Sequence, residues 1–160
     1  MNRKLTYKEL QQRIKELERE TTEHKFTKEE LQAILDVVPV MIFQKDRDGK
    51  TIRTNQAFDT MIGLSKEEII GKTTDELFPE HGKNMIEDDR EVMESGKPKL
   101  DIIEHYDSSD GTRWARTGKA PLKDRMGTVV GLIGYAADIT EQKQLEAQLT
   151  HTQRMESIGS

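Results

Sequence analysis

Apolar positions near the start of the chain follow a helical spacing. Intervals alternating between three and four residues separate Tyr7, Leu10, Ile14 and Leu17, which is typical of an amphipathic helix. The register continues to Val38 across a polar centre, so either one long helix or two shorter ones fit the pattern. We favour a break between Thr22 and Thr27, because Thr27-x-x-Glu30 repeats the capping-box pattern of Thr6-x-x-Glu9 at the start of the chain. Pro39 ends the helix in both cases.

The pattern then changes to short alternating runs bounded by turn residues. Strands are predicted at 41–46, 51–54, 100–106, 113–122 and 129–138, with turns at 46–50, 107–111 and 123–127. Short helices are predicted between the second and third strands, and the longest covers 82–95. This order predicts an α+β domain, with one five-stranded antiparallel sheet and helices on one face.

The final strand runs directly into a polar helix. Val129–Asp138 is apolar and rich in β-branched residues, and Asp138-Ile139-Thr140 follows with Thr140 as a candidate N-cap. Leu145 and Leu149 then recur at a heptad spacing, which indicates a coiled-coil helix. Coiled-coil-like helices are thus expected on both sides of the α+β domain, dividing the chain into 1–26, 27–140 and 141–160.

The composition of the chain argues against several classes of function. The chain is 33% hydrophobic and 34% charged, with a net charge of −5 and a pI near 5.5, which argues against nucleic acid as a main partner. It has no cysteine, which excludes disulfides, thiol nucleophiles and thiol-linked chromophores, and which fits a reducing, cytoplasmic location. No apolar run approaches the ~20 residues of a membrane helix, so we expect no membrane contact by this chain.

Four stretches in this order of elements resemble a PAS domain. They are Ile34-Leu35-Asp36 through Pro39; Asp48-Gly49 with Asn55-Gln56-Ala57-Phe58; Gly63-Leu64-Ser65 with Glu68-Ile69-Ile70-Gly71-Lys72; and Asp110-Gly111-Thr112-Arg113-Trp114 with Gly131 and Asp138-Ile139-Thr140. The tail from Leu149 to Gly159 resembles the start of the dimerisation helix of a sensor histidine kinase. The resemblance implies a non-catalytic sensory fragment of a longer kinase, whose phosphoacceptor histidine is expected beyond Ser160.

The resemblance also implies a pocket between the sheet and the helices. Its expected lining is Phe43, Met61, Leu77, Phe78, Met85, Met93, Ala115, Thr117, Leu132 and Ala136. Two interpretations remain: these side chains fill the core, which we favour, or they surround a small-molecule ligand. Ile42, Trp114, Ile133 and Tyr135 are expected on the outer face of the sheet, where Leu31 and Leu35 could cover them and a homodimer could form together with the flanking helices.

Charged residues provide two further candidate binding sites, one for a carboxylate ligand and one for a metal ion. Lys45 and Lys119 are placed inward by strand alternation; we favour their extension to solvent over the alternative, a salt bridge to a carboxylate ligand. The acidic run from Glu87 to Glu91 spreads over several helix faces, which favours a solvated surface over a metal site. Neither a metal site nor a catalytic residue is expected.

Known cofactors of PAS domains find little support in the sequence. A flavin–cysteine adduct is excluded because the chain has no cysteine. Haem is not expected either, because Met85 occupies the position that best matches the proximal histidine.

Two functions are compatible with these expectations. The first is a signal-sensing, dimerising module of a two-component kinase, in which Asp138-Ile139-Thr140 joins the sensor to the output helix. The alternative is a ligand-free structural module that spaces output domains. The presence of a ligand cavity discriminates between them.

Overall fold

The computed structural model describes residues 6–108 and 111–159. Its elements are α1 (Tyr7–Val37), β1 (Met41–Asp46), β2 (Thr51–Thr54), α2 (Gln56–Ile62), α3 (Lys66–Ile69), α4 (Thr74–Leu77), α5 (Gly82–Ser95), β3 (Lys99–Ser108), β4 (Gly111–Lys123), β5 (Val129–Asp138) and α6 (Thr140–Gly159). Residues up to Val37 form one compact unit, and residues from Val38 onward form a second. The division predicted at residues 26 and 140 stays a prediction.

Helix α1 is continuous, so the predicted break between Thr22 and Thr27 is wrong. The Thr27 hydroxyl donates to the Glu23 carbonyl at 2.9 Å, and the Thr22 hydroxyl donates to the Glu18 carbonyl at 2.8 Å. Such bonds to the preceding turn let threonine stay inside a helix. A capping box does form at the true start of α1, where the Thr6 amide donates to Glu9 at 2.7 Å.

The five strands form one antiparallel sheet, as the sequence predicts, and their order in the sheet is β2-β1-β5-β4-β3. Strand β5 is therefore the central strand of the sheet, although it is the last strand in the sequence. Strands β3 and β4 extend further into their hairpin than predicted, to Ser108 and Gly111. The rest of the loop predicted at 107–111, residues 109 and 110, lies outside the described residues.

The core lies between the inner face of the sheet and helices α2 to α5. Its buried apolar members are Met41, Phe43, Phe58, Ile69 and Leu132. The Phe43 and Phe58 rings meet at 5.9 Å between centroids. The Phe43 ring also lies across β5 at Gly134, where a Cβ atom would come within 2.3 Å of the ring. Phe43 can therefore pack flat on the central strand only because residue 134 has no side chain.

Asn55 fixes the first strand to the helical layer. Its side chain is fully buried. The amide oxygen accepts from the backbone N–H of Ile42 at 2.9 Å and of Phe58 at 3.2 Å, and the amide nitrogen donates to the Val40 carbonyl at 2.8 Å. One side chain thus caps α2 and holds the start of β1, as expected for a buried polar group with satisfied hydrogen bonds.

The two short helices that follow begin at capping boxes. Ser65 with Glu68 opens α3, and Thr73 with Glu76 opens α4. Both boxes are recognisable in the sequence, and both are formed. These helices place Ile69 and Thr74, which are buried, over the inner face of the sheet.

Candidate functional site

A cavity of about 80 Å³ lies between the inner sheet face and helices α2, α4 and α5. Its lining consists mainly of apolar side chains and includes a few polar ones. The lining residues are Met41, Phe43, Lys45, Thr51, Phe58, Met61, Ile62, Thr74, Leu77, Phe78, Met85, Glu104, Ala115, Thr117, Lys119 and Ala136. An apolar enclosure with a few convergent polar groups is the usual form of a small-molecule site.

Most of the residues predicted for the pocket line this cavity. They are Phe43, Met61, Leu77, Phe78, Met85, Ala115, Thr117 and Ala136. Leu132 and Met93 do not line it: Leu132 is fully buried in the core, and Met93 packs against that core. Both interpretations, side chains that fill the core and side chains that surround a small-molecule ligand, stay predictions.

A cluster of three charged side chains forms one polar end of the cavity. Lys45 of β1 and Lys119 of β4 lie on either side of the central strand, opposite Leu132 and Gly134 of β5. Asp89 of α5 lies between them, with its Oδ2 atom 2.5 Å from Lys45 Nζ and its Oδ1 atom 2.8 Å from Lys119 Nζ. All three side chains are less than one-tenth exposed.

Further acceptors complete the surroundings of the two ammonium groups. Lys45 Nζ donates to the Thr74 hydroxyl at 2.6 Å, and Lys119 Nζ donates to the Met85 carbonyl at 3.0 Å. The contact of Lys119 with Asp89 has the distance of an ion pair but lacks the angles of a hydrogen bond. Asp89 is thus the single carboxylate directly paired with both cations among the described residues.

Burial lowers the pKa of Lys45 below its ordinary value of 10.5, because the ammonium group loses its hydration. The nearby Asp89 carboxylate opposes this effect by attracting the charge, and the Lys119 ammonium reinforces it by repulsion. The cost of burial therefore outweighs the attraction of Asp89 in setting the direction of this shift.

The sequence analysis favoured solvated side chains for the two lysines and for the acidic run of α5, and this prediction is wrong for three residues. Lys45 and Lys119 do not extend to solvent, and Asp89 does not belong to a solvated acidic surface. The charged groups make each other's burial possible. Each lysine can be buried because a carboxylate and neutral acceptors replace the water molecules that would otherwise bind its ammonium group. The signal in the sequence was the position of Asp89 on the same helix face as Met85 and Val92.

Glu104 is another titratable group at the cavity that the sequence analysis did not identify. This half-buried side chain on β3 accepts a hydrogen bond from the Thr117 hydroxyl at 3.1 Å. It also exerts an electrostatic attraction on Lys45. Strand alternation from Ile102 would have placed it, since Glu104 lies opposite Ala115 in the register.

A second arrangement, the junction Asp138-Ile139-Thr140, joins the sheet to helix α6. Asp138 accepts from Arg113 at 2.8 Å and from the Thr140 backbone N–H at 2.9 Å. Ile139 is buried, and its N–H donates to the Trp114 carbonyl at 2.9 Å. Burial raises the pKa of Asp138, but the hydrogen bonds from Thr140 and Arg113 outweigh it and leave that pKa below its usual value.

Thr140 acts differently from the predicted N-cap. It is the first residue of α6, and its hydroxyl accepts from the Trp114 backbone N–H at 2.9 Å. Trp114 therefore exchanges hydrogen bonds with both Ile139 and Thr140. Its ring also lies 5.8 Å from Lys143 Nζ of α6 and 5.4 Å from the His105 ring of β3, distances typical of cation–π and edge-to-face contacts.

The remaining predicted features are placed as follows. Ile133 and Tyr135 on the outer sheet face are each 37% exposed, and the covering of this face by Leu31 and Leu35 stays a prediction. Among residues 6–108 and 111–159, no three His, Asp or Glu side chains are arranged to hold a metal ion. In the same part of the chain, every helix is too short or too polar to cross a bilayer.

Replacing Asp89 by Asn tests the charged cluster. The variant leaves two buried lysines without a carboxylate partner, so we expect a loss of about 3–5 kcal/mol in the free energy of unfolding. Because the folded state already binds the Lys45 proton less tightly than the unfolded chain, the stability of the variant should rise as the pH increases from 7 toward 10.5. Urea denaturation at several pH values measures both effects.

Asp88→Asn is the matched control, because Asp88 forms an ion pair with Lys99, whose side chain is 38% exposed. Ion pairs with an exposed partner contribute little to stability, because water and salt screen the charges. Equal losses for the two variants, or no pH dependence in Asp89→Asn, would contradict the buried cluster.

Comparison with known proteins agrees with the fold. A family model described as "PAS fold" matches residues 35–144. The aerobic respiration control sensor protein ArcB of Escherichia coli K12 is 29% identical over 126 residues, covering 78% of this chain and 16% of that protein. The methanogenesis regulatory histidine kinase FilI of Methanothrix harundinacea is 26% identical over 128 residues, covering 79% of this chain and 14% of that protein.

A solved structure shows the same architecture. The Vibrio cholerae VqmA–ligand–DNA complex is 26% identical to this chain, with a TM-score of 0.62, covering 69% of this chain and 51% of that one. Among the curated relatives, the matched part of the chain corresponds to about a sixth of the length of ArcB and about a seventh of the length of FilI. The family match covers most of the chain, and the five-stranded antiparallel sheet with its helices agrees with it. The chain belongs to the PAS-fold family.

Proposed function

We propose that this chain is the signal-sensing, dimerising PAS module of a two-component sensor histidine kinase. The observation that carries the proposal is that one strand, β4, serves both the cavity and the junction. Ala115 and Thr117 line the cavity, while Arg113 and Trp114, immediately before them, bond to Asp138, Ile139 and Thr140. A change in the cavity therefore has a short mechanical path to α6.

The names of relatives support the class of output. ArcB is a sensor protein and FilI is a regulatory histidine kinase. Because this chain corresponds to a small part of each, we assign phosphoryl transfer to another domain of a longer protein, and binding and transmission to this chain. VqmA was solved with a ligand, which supports a ligand as the signal for a related fold.

In the proposed mechanism a ligand or a partner changes the populations of two packing states. A ligand can shift such an equilibrium only if it binds the two states with different affinity. Contact with Ala115 or Ala136 acts on β4 and β5 directly, since Ala115 lies opposite Asp138 and Thr117 lies opposite Ala136 in the strand register. The shift then changes the direction of α6 through the bonds of Trp114.

Dimerisation is assigned to the two flanking helices and to the outer face of the sheet. Helix α6 exposes Leu145 and Leu149 at a heptad spacing, and α1 exposes Leu10 and Leu17. Exposed leucines in this pattern are typical of a coiled-coil seam that is completed by a second copy. The module is proposed to act in the cytoplasm, where the kinase substrate ATP is available.

Filling the cavity tests the sensing role. Ala136→Leu adds apolar atoms to a side chain that lines the cavity, so a ligand retained during purification should be lost. Native mass spectrometry of the purified chain should show the additional ligand mass on the wild type and not on the variant. Circular dichroism confirms that both are folded.

Ala137→Leu is the control, because the adjacent residue points to the opposite face of the sheet and lies opposite Arg116. It should keep the ligand. A wild-type chain that carries no small molecule, whatever the cells and growth medium it comes from, would contradict sensing and support the ligand-free spacer.

Changing Thr140 to Val tests the junction. The variant keeps the shape of the side chain but removes the acceptor of the Trp114 N–H bond. Because that bond anchors the start of α6, we expect backbone amides in Trp114 and in the first turn of α6 to exchange hydrogen several-fold faster. Hydrogen–deuterium exchange with mass spectrometry measures this change.

Thr150→Val serves as its control, since the Thr150 hydroxyl bonds only within α6, to the Glu146 carbonyl at 2.9 Å. Exchange near Trp114 should not change in this variant. If the two variants gave the same exchange pattern, Thr140 would have no special part in the junction.

A further inference from the structure

The lysines at the polar end of the cavity have hydrogen-bonding capacity left over. An ammonium group has three N–H donors. Among the described residues, Lys45 contacts the Thr74 hydroxyl and Asp89, and Lys119 contacts the Met85 carbonyl and Asp89. One donor on each lysine is not used by these contacts, and both side chains line the cavity.

Direct ion pairing compensates the lysines at this end of the cavity only in part. Two buried ammonium groups share the one carboxylate of Asp89. The other carboxylate that lines the cavity, Glu104, attracts Lys45 electrostatically, but it accepts its hydrogen bond from Thr117 and forms no ion pair with either lysine. A cation that is poorly compensated in a low-dielectric site attracts an anion strongly.

Most of the remaining lining is apolar. Phe43, Phe58 and Phe78 line the cavity together with methionine and leucine side chains, and the Phe43 ring centroid lies 5.2 Å from Lys45 Nζ. These groups offer no partner for a second negative charge, and they favour an apolar body. A ligand that satisfies both the lysines and this apolar lining is therefore anionic at one end and apolar along the rest of its length.

We propose that the cavity binds a small monocarboxylate, with its carboxylate between Lys45 and Lys119 and its apolar body against the phenylalanines. This inference rests on the proposed sensing function and names the class of ligand. The volume of about 80 Å³ sets the size. A cavity this small restricts the ligand to a compact molecule with a short apolar body.

Isothermal titration calorimetry on the full chain tests the proposal with two matched probes. The probes are 3-methylbutanoate and 3-methylbutanamide, which have the same shape and differ in charge. The carboxylate should bind roughly tenfold or more tightly than the amide, because charge-assisted hydrogen bonds are about twice as strong as neutral ones. Stripping the chain of any retained ligand by unfolding and refolding precedes the titration.

Three variants test which side chains cause the preference for the carboxylate over the amide. Lys119→Met leaves Lys45 paired one-to-one with Asp89, so the carboxylate should lose its advantage while the amide still binds. Glu104→Gln removes the remaining negative charge that faces the ligand, so carboxylate affinity should increase and amide affinity should not. Lys97→Met is the control, because Lys97 is exposed, and it should leave both affinities unchanged.

The outcomes separate the ligand class from the proposed function. Equal affinity for the two probes, or a carboxylate preference that survives Lys119→Met, would overturn the ligand class and leave sensing intact. Failure of both probes to bind would also overturn the ligand class, while the sensing role would still be decided by the mass of the retained ligand and its loss in Ala136→Leu.

Discussion

The contact of Asp89 with Lys45 and Lys119 is the interaction on which the candidate site depends. It joins α5 to β1 and β4, across the central strand β5. Such a buried cluster contributes little net stability, because desolvation of the charges offsets their attraction. Its effect is geometric, since Asp89 on α5 must lie within reach of both lysines to compensate them. We interpret the cluster as the contact that fixes α5 above the sheet and keeps a polar end on an otherwise apolar cavity.

The sheet topology connects this cavity to the output helix. Strand β5 is central and last in sequence, so the chain leaves the core at Asp138 and enters α6 without a loop. Strand β4 then bonds to both sides of that exit, through Arg113 and Trp114. The residues that line the cavity follow directly on the same strand, so the site and the junction share a rigid element rather than a flexible linker.

Much of this arrangement could be predicted from the sequence, because strand alternation is a local rule. Together with the resemblance to a PAS domain, it predicted Phe43, Ala115 and Thr117 on the inner face and Ile133 on the outer face. Interactions between distant elements could not be predicted in this way. Lys45 and Asp89 are separated by 44 positions, and without their pairing a solvated lysine was the better expectation. The continuity of α1 was missed for a different reason, since Thr27 can either cap a helix or bond back within one.

The central claim is that the two lysine ammonium groups are buried, charged and available to a ligand at the cavity. NMR detection of the ¹⁵Nζ signals of a ¹⁵N-lysine-labelled chain, assigned with Lys45→Met and Lys119→Met, tests this directly. Buried and hydrogen-bonded ammonium groups exchange slowly with water, so the account predicts two protected signals that shift when 3-methylbutanoate is added. Rapid exchange at both lysines, or shifts confined to exposed lysines, would contradict it.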